Sequence, residues 1–299
     1  MKQPSYTSKF TAKEKITFPP NSLDYELIDC GNQRKLERFG KIILDRPEIE
    51  AKWIPKKGKD IWSQADWYFY EEKGQKGKWN LLQDAEKTWE IQYKNQLNFQ
   101  LKLTQFKHVG IFPEQAANWS FIEQQLAKIK GEAKVLNLFA YTGAASIVAA
   151  KNGANVTNVD SVKQVLNWGR ENAALNGIDN IRWILEDAQR FVDKSLRRED
   201  RYHGIIMDPP AFGLGNKKEQ WKLERDLPQL LKNVCQLLDP KQQFFILNTY
   251  SPRMPMKNLL KIIRQTAGVP QKFEASTLAL LSKEKLNLPL GNLIRWSTL

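Results

Sequence analysis

The sequence predicts an α/β protein with a mostly parallel, doubly wound sheet, preceded by a small antiparallel β domain. Three observations carry that prediction. From about residue 108 onward, apolar runs of strand length alternate with amphipathic runs of helix length. Several of those helical runs close on a glycine, as at Gly153 and Gly177. Before residue 108, apolar and polar residues alternate and turn residues interrupt the runs.

Taken in order, residues 1–20 are polar and basic and end in "PP", which reads as a mobile basic arm. "YELIDCGNQRKLERFGKIILDRPE" reads strand, turn, strand, punctuated by "GN" and Gly40. "DWYFYEEKGQKGKWNLL" is a second hairpin turning at "KGQKGK", and "WEIQYKNQLNFQLKLTQF" alternates around a turn at "KNQ". Together they make a β-rich domain over 21–107. Five of the ten tryptophans lie between Trp53 and Trp89, either as packing or as a stacking platform for bases. Over 108–299, "KVLNLF", "ANVTNVD", "NIRWILED", "YHGIIMD" and "QQFFILNTY" are strands, and the tail adds a last pair. Between them lie the helices "TGAASIVAAKNG", "SVKQVLNWGRENAALNG", "AQRFVDKSLRR", "WKLERDLPQLLKNVCQLLD", interrupted at Pro228, and "MKNLLKIIRQT".

Composition narrows the function. The chain of 299 residues carries a formal charge of +13. After Asp239 the side-chain acids are Glu274 and Glu284, against nine Lys and Arg residues that include Lys257, Lys261 and Arg264. Such a segment favours a polyanionic partner, RNA. Cys30 and Cys235 with His108 and His203 offer neither a disulfide framework nor metal-ligand spacing, so no metal is expected. No apolar run approaches the ~18 residues of a membrane span, and the N-terminus lacks a secretory core. A cytoplasmic location without membrane contact follows by default. The oligomeric state is left open.

In open α/β sheets the ligand lies beyond the C-terminal strand ends. There the sequence places a loop, "NLFAYTGAAS", in which Gly143 permits close approach, or simply tight helix packing. Asp160 ends the second strand, seventeen residues on, as a ribose acceptor or as an N-cap; Ser161 is an alternative cap. Asp187 and Asp208 end the third and fourth strands. A nicotinamide dehydrogenase would want G-x-G-x-x-G, and this loop has one glycine. The pattern suits a cofactor without a pyrophosphate: adenosine with a charged amino-acid tail. Its ribose falls on Asp160, its adenine near Asp187, and its tail near Ala140 to Gly143. That is S-adenosylmethionine.

"VLNLFAYTGAAS", "VTNVDSVKQVLNWGRENAALNG", "LEDAQRFV" and "YHGIIMDPPAFG" together resemble the class I S-adenosylmethionine-dependent methyltransferases. Within them, the likeness is nearest to bacterial enzymes that methylate large-subunit ribosomal RNA to 7-methylguanine or 5-methylcytosine. It extends over roughly residues 105–255 and includes "FKHVGIFPEQAANW". The resemblance implies a Rossmann-like methyltransferase domain acting on ribosomal RNA. It also implies cofactor contacts at Gln115, Asn137, Phe139, Ala140, Tyr141, Thr142, Gly143, Asp160, Ser161, Asp187, Ala188 and Asp208. Asn137 departs from the acid that many members carry, which shifts the methionine amine toward carbonyls and Gln115.

In "IIMDPPAFGLG" the two prolines fix the backbone so that Asp208 projects from a strand end. Asp208, Pro209, Pro210 and Phe212 form the candidate catalytic group. Phe212 stacks on a flipped-out base, or else packs in the core. Carbonyls beside the prolines remain free as acceptors. The aromatic stands fifth in D-P-P-A-F, which argues for a ring atom over an exocyclic amine. Carbon-5 methylation needs a cysteine nucleophile, and the strand ends hold none, so nitrogen 7 of guanine is favoured. Lys217, Lys218, Lys222 and Arg225 follow the loop, as phosphate contacts or as a solvated helix start. Two other readings remain: a methyltransferase for protein or a small metabolite, and a binding module without chemistry.

Overall fold

The computed structural model describes residues 15–72, 76–214 and 220–299. Its centre is an eight-stranded sheet. With strands numbered in chain order, it runs β11 (Ile181–Leu185), β10 (Asn155–Asp160), β9 (Lys134–Leu138), β12 (Gly204–Met207), β15 (Phe244–Thr249), β17 (Asn287–Ser297), β16 (Glu274–Leu281) and β1 (Ile16–Thr17). β11 through β15 are parallel, and β17 returns antiparallel between β15 and β16. β12 and β15 are buried at every position, as strands covered on both faces must be. One face is covered by α2 (Ala116–Leu126), α3 (Ala144–Lys151) and α4 (Lys163–Leu175). The other is covered by α5 (Ala188–Arg197), α6 (Leu223–Cys235) and α7 (Met256–Gln265). α6 runs through Pro228 without a break, because Leu227, Leu230, Leu231 and Val234 all bury along its length. No helix among the described residues is long and apolar enough to cross a membrane.

The N-terminal part is a five-stranded sheet, β2 (Tyr25–Gly31), β3 (Arg34–Phe39), β4 (Ile42–Pro47), β5 (Trp67–Glu71) and β6 (Gly77–Leu81). Its pairs are antiparallel except β4 with β5, which are parallel. The chain between them crosses back by way of α1 (Lys59–Trp62), so the domain is not wholly antiparallel. β7 (Thr88–Tyr93) and β8 (Leu97–Lys102) form a separate hairpin with alternating burial. Trp89, Ile91, Tyr93, Phe99 and Leu101 share one apolar cluster with Trp119 and Ile122 of α2 and Ala149 of α3. The expected boundary at 107–108 therefore runs through a continuous core. α4 also covers the edge of β8. Asn172 Oδ1 and Asn176 Oδ1 each accept a backbone N–H of that strand at 2.8 Å, and Trp168 Nε1 donates to Gln100 O at 2.8 Å.

The arm expected over 1–20 lies outside the described residues as far as 14. Beyond that, Ile16 and Thr17 pair with Thr277 and Leu278 as an edge strand. Trp67 and Trp89 are core residues; Trp53, Trp62 and Trp79 are partly buried, and each places its indole N–H on a protein acceptor.

A buried ionic cluster ties the N-terminal sheet together. Arg46 donates twice to Glu37 Oε2, at 2.8 and 2.6 Å, and Tyr25 donates to Oε1 at 2.7 Å. Lys35 lies 3.5 Å from Glu37 and 3.2 Å from Glu48. Burial pushes the Glu37 carboxyl up, but Arg46 and Lys35 outweigh it and hold the group below the usual range. Glu37→Ala removes the carboxylate partner of buried Arg46 and one of the two that Lys35 meets, at an expected cost of ~3–5 kcal/mol. Urea unfolding should show the midpoint drop with an unchanged slope; a wild-type midpoint would show that the cluster carries no stability.

Candidate functional site

The sheet reverses order between β9 and β12, since β10 and β11 lie to one side and β15 to the other. That switch point opens a crevice beyond the C-terminal strand ends. Four loops meet there, and their conformations are fixed from beneath.

The loop after β9 is held in left-handed turns: φ is 55° at Phe139, 53° at Tyr141 and 72° at Gly143. A Cβ at Gly143 would sit 2.9 Å from Trp183 and 3.0 Å from Asn158 Oδ1, so glycine is required both by conformation and by space. Asp160 fastens this loop from β10. Its carboxylate accepts Tyr141 N at 2.9 Å and Val162 N at 2.9 Å. Burial raises its pKa, and these backbone donors counter the rise. Asp160 is thus neither an N-cap nor wholly free, and Ser161 does not cap α4, which begins after Val162. Thr142 Oγ1 donates to Gly110 O at 2.5 Å, binding the loop to the segment that leads out of the N-terminal sheet. Ala140 is buried above β9. Asn137 is 3% exposed, and its amide donates to Ser146 Oγ of α3 at 3.0 Å. That side chain secures α3 beneath the crevice. Beyond β11, Asp187 caps α5 by accepting Arg190 N at 3.0 Å, with Ala188 buried behind it.

Beyond β12, the carboxylate of Asp208 accepts Gln115 Nε2 at 3.3 Å. Gln115 belongs to a 3-10 turn, Pro113–Gln115, and also donates to the Tyr250 hydroxyl at 2.9 Å. Burial, then the charge of Glu114, pushes the Asp208 carboxyl up to about 7. Phe112 joins the two halves of the rim, its ring 5.3 Å from Tyr141 and 6.5 Å from Tyr250.

The Asp-Pro-Pro loop continues into a small hairpin, β13 (Phe212–Leu214) with β14 (Gln220–Lys222). Trp221 Nε1 donates to Pro210 O at 2.7 Å, and its ring lies 5.2 Å from Phe139. The Pro210 carbonyl is therefore not free, because Trp221 occupies it; Pro209 is buried beneath. Phe212 is 54% exposed and does not pack in the core. The structure thus unites Gln115, Phe139, Tyr141, Asp160, Asp208 and Pro210 around one crevice. Sequence reasoning passed over Phe112, Glu114, Trp221 and Tyr250, which hold that ring together; the signal available was the aromatic and acidic content of "GIFPEQ", "QWK" and "LNTYSP".

Lys217 and Lys218 lie outside the described residues. Lys222 is exposed at the start of α6. Arg225 is bound to Asp226 through Nε at 2.7 Å and Nη2 at 2.8 Å, which competes with any phosphate for its guanidinium. Lys257, Lys261 and Arg264 form one exposed stripe on α7, whose opposite face buries Leu259 and Ile263.

Residues 41–261 match the sequence model of a family described as S-adenosylmethionine-dependent methyltransferase. The crystal structure of a SAM-dependent methyltransferase from Agrobacterium tumefaciens superposes with a TM-score of 0.89 at 34% identity, covering 94% of this chain and 93% of that one. The ribosomal RNA large subunit methyltransferase K/L of Shewanella frigidimarina is 34% identical over 154 residues, 50% of this chain and 21% of that protein. Its counterpart from Pseudoalteromonas atlantica is 31% identical over 179 residues, 58% of this chain and 24% of that protein. The chain thus spans less than a quarter of the length of these two curated relatives.

The raised pKa of Asp208 has a consequence for stability. The folded protein keeps this proton up to about pH 7, whereas an unfolded aspartate loses it near pH 4. Between those limits the folded state binds more protons, so stability falls as pH rises and levels off above about 7. Asp208→Asn removes the titration. The variant should match the wild type near pH 3.5 and exceed it by ~2–4 kcal/mol near pH 8 in the absence of ligand. Thermal unfolding at both pH values reads this, and a variant that is weaker at pH 8 would contradict it.

Proposed function

The chain belongs to the S-adenosylmethionine-dependent methyltransferase family, and from that premise we propose that it methylates a base of ribosomal RNA at a ring nitrogen, with 7-methylguanine as the favoured product. One observation carries the choice of atom: both thiols of the chain are buried away from the crevice. Cys30 sits in β2 of the N-terminal sheet, packed with Leu27, Leu280 and Leu288, and Cys235 sits at the end of α6. Burial pushes each thiol up to about 12, so neither supplies a thiolate at neutral pH. A carbon-5 mechanism needs that nucleophile; nitrogen 7 of guanine presents its own lone pair.

In this reading the cofactor ribose lies on Asp160, the adenine lies toward Asp187 and Ala188, and the amino-acid tail lies along Ala140 to Gly143. Asp208 would then border the methyl group to be transferred. The target base enters beside the Asp-Pro-Pro loop, where exposed Phe212 offers a ring face for stacking. When S-adenosylmethionine is bound it supplies an electrophilic methyl on a sulfonium. The residues of the chain align the lone pair with that methyl, and no proton has to leave the ring nitrogen. Support for an RNA substrate comes from the ribosomal RNA methyltransferases the chain resembles and from the basic stripe on α7.

Methyl incorporation into ribosomal RNA tests the chemistry. Asp208→Ala and Phe212→Ala should each lower turnover by about a hundredfold or more while the protein stays folded. The double change Cys30→Ser, Cys235→Ser should keep turnover within a few-fold. A folded, cofactor-binding, cysteine-free protein that transfers nothing would restore carbon-5 chemistry. Nucleoside mass spectrometry of ribosomal RNA from a strain lacking the gene should reveal one missing methylated base. Intact RNA together with an under-methylated protein or metabolite would reassign the substrate.

The RNA surface has its own test. Neutralising Lys257, Lys261 and Arg264 together should flatten the slope of log affinity against log salt by about 0.7–0.9 for each phosphate that the stripe no longer neutralises. An unaltered slope places the RNA elsewhere.

A further inference from the structure

Glu114 and Tyr250 have no task in the methyl transfer described above, yet both are linked to Asp208. Glu114 is 4% exposed, in the 3-10 turn that carries Gln115. The orientation of the Gln115 amide is fixed on both sides. Its Oε1 accepts Asn118 Nδ2 at 2.8 Å, and Asn118 in turn donates to Asn248 Oδ1 at 2.8 Å. Gln115 Nε2 therefore faces outward, donating to Tyr250 at 2.9 Å and Asp208 at 3.3 Å. Because the Tyr250 oxygen accepts from Gln115, its own proton is directed to Glu114, with which it is hydrogen-bonded. Two carboxyls, Glu114 and Asp208, are thus joined through neutral donors.

We propose that Glu114 and Tyr250 are positioning residues that, through Gln115, hold Asp208 as an acidic site matched to the cationic cofactor and mismatched to its neutral product. The proposal rests on the reading that places the cofactor's sulfur at the end of β12. Its logic is charge balance. Lys35, the cation nearest in effect to Glu114, is engaged with Glu37 and Glu48. Among the described residues, the charged group that bears on Asp208 is Glu114, an acid. Among the described residues no cation bears on Asp208, so the positive charge of a ligand would complete the site. S-adenosylmethionine brings one on its sulfur. In the transfer the sulfur–methyl bond breaks, its electron pair stays on sulfur, and a nitrogen–methyl bond forms from the base's lone pair. The positive charge moves to the base and the sulfur becomes a neutral thioether. Once the methylated RNA leaves, Asp208 faces Glu114 without a cation and takes a proton from solvent, so S-adenosylhomocysteine is held less firmly than the substrate. Among the described residues, the groups facing this site are Glu114 from the 3-10 turn, Tyr250 beyond β15, Lys35 and Glu37 of β3 behind Glu114, and Tyr141 with Asp160 across the crevice.

Titration calorimetry of the full chain with S-adenosylmethionine and with S-adenosylhomocysteine, from pH 5.5 to 7.5, tests this. Burial and Glu114 hold the Asp208 carboxyl near 7, so its ionised fraction grows through that window. The ratio of the two affinities should rise by about tenfold or more in favour of S-adenosylmethionine. Binding of S-adenosylmethionine near pH 6.5 should release a proton, read from the dependence of the enthalpy on buffer ionisation. Glu114→Gln should move the midpoint of that rise to lower pH; a residue that merely supports the fold would weaken both ligands equally at every pH. Tyr250→Phe should likewise displace the midpoint, and the wild-type comparison decides the matter if either variant fails to fold. Parallel pH curves for the two ligands overturn the proposal and leave the cofactor assignment standing. If neither ligand binds, or if Asp160→Ala leaves both affinities unchanged, the cofactor assignment falls and this proposal with it.

Discussion

The constraint on which this molecule depends is a parallel sheet buried on both faces. β12 and β15 expose no side chain at any position. Parallel strands of this kind need a crossover after each one, and the crossovers place helices on both sides. Helices on both faces leave the strand ends as the accessible edge of the sheet. The order reversal between β9 and β12 then parts two loops at one place, and polar residues collect there because elsewhere along these strands they would be buried without partners.

The N-terminal sheet acts as a support for that place. The separate hairpin β7–β8 that follows it shares a core with α2 and α3, and the edge of that hairpin is completed by Asn172 of α4 and Asn176 at its C-terminal end. The segment leaving it binds the cofactor-side loop through Gly110 and Thr142, then supplies Gln115 to Asp208. The two parts are therefore coupled mechanically at the crevice. A change in how the N-terminal sheet sits would be felt at the loop after β9 and at Asp208 together.

Acids at the strand ends have unlike tasks despite their like positions. Asp160 accepts backbone N–H groups and fixes the loop after β9, Asp187 caps a helix, and Asp208 has a glutamine donor and an acidic neighbour. Environment separates them: burial raises both Asp160 and Asp208, but backbone donors counter the rise at Asp160, whereas Glu114 adds to it at Asp208.

The sequence by itself determined the alternation of strand and helix, the glycine loop after β9, the acids at three strand ends and the family. Those features are local: periodicity, a turn residue and a motif in order are written in neighbouring positions. Tertiary structure alone decided that β4 and β5 run parallel, that Ile16 and Thr17 join the large sheet, and that one core crosses residue 108. It also decided that the Asn137 amide turns to Ser146 and that Trp221 occupies the Pro210 carbonyl. The network around Asp208 was illegible for the same reason. Gln115 meets Asp208 across 93 residues of chain and Tyr250 across 135, and a hydrogen bond at that separation leaves no period in the sequence. Only the folded sheet, by bringing its strand ends to one edge, makes those residues neighbours.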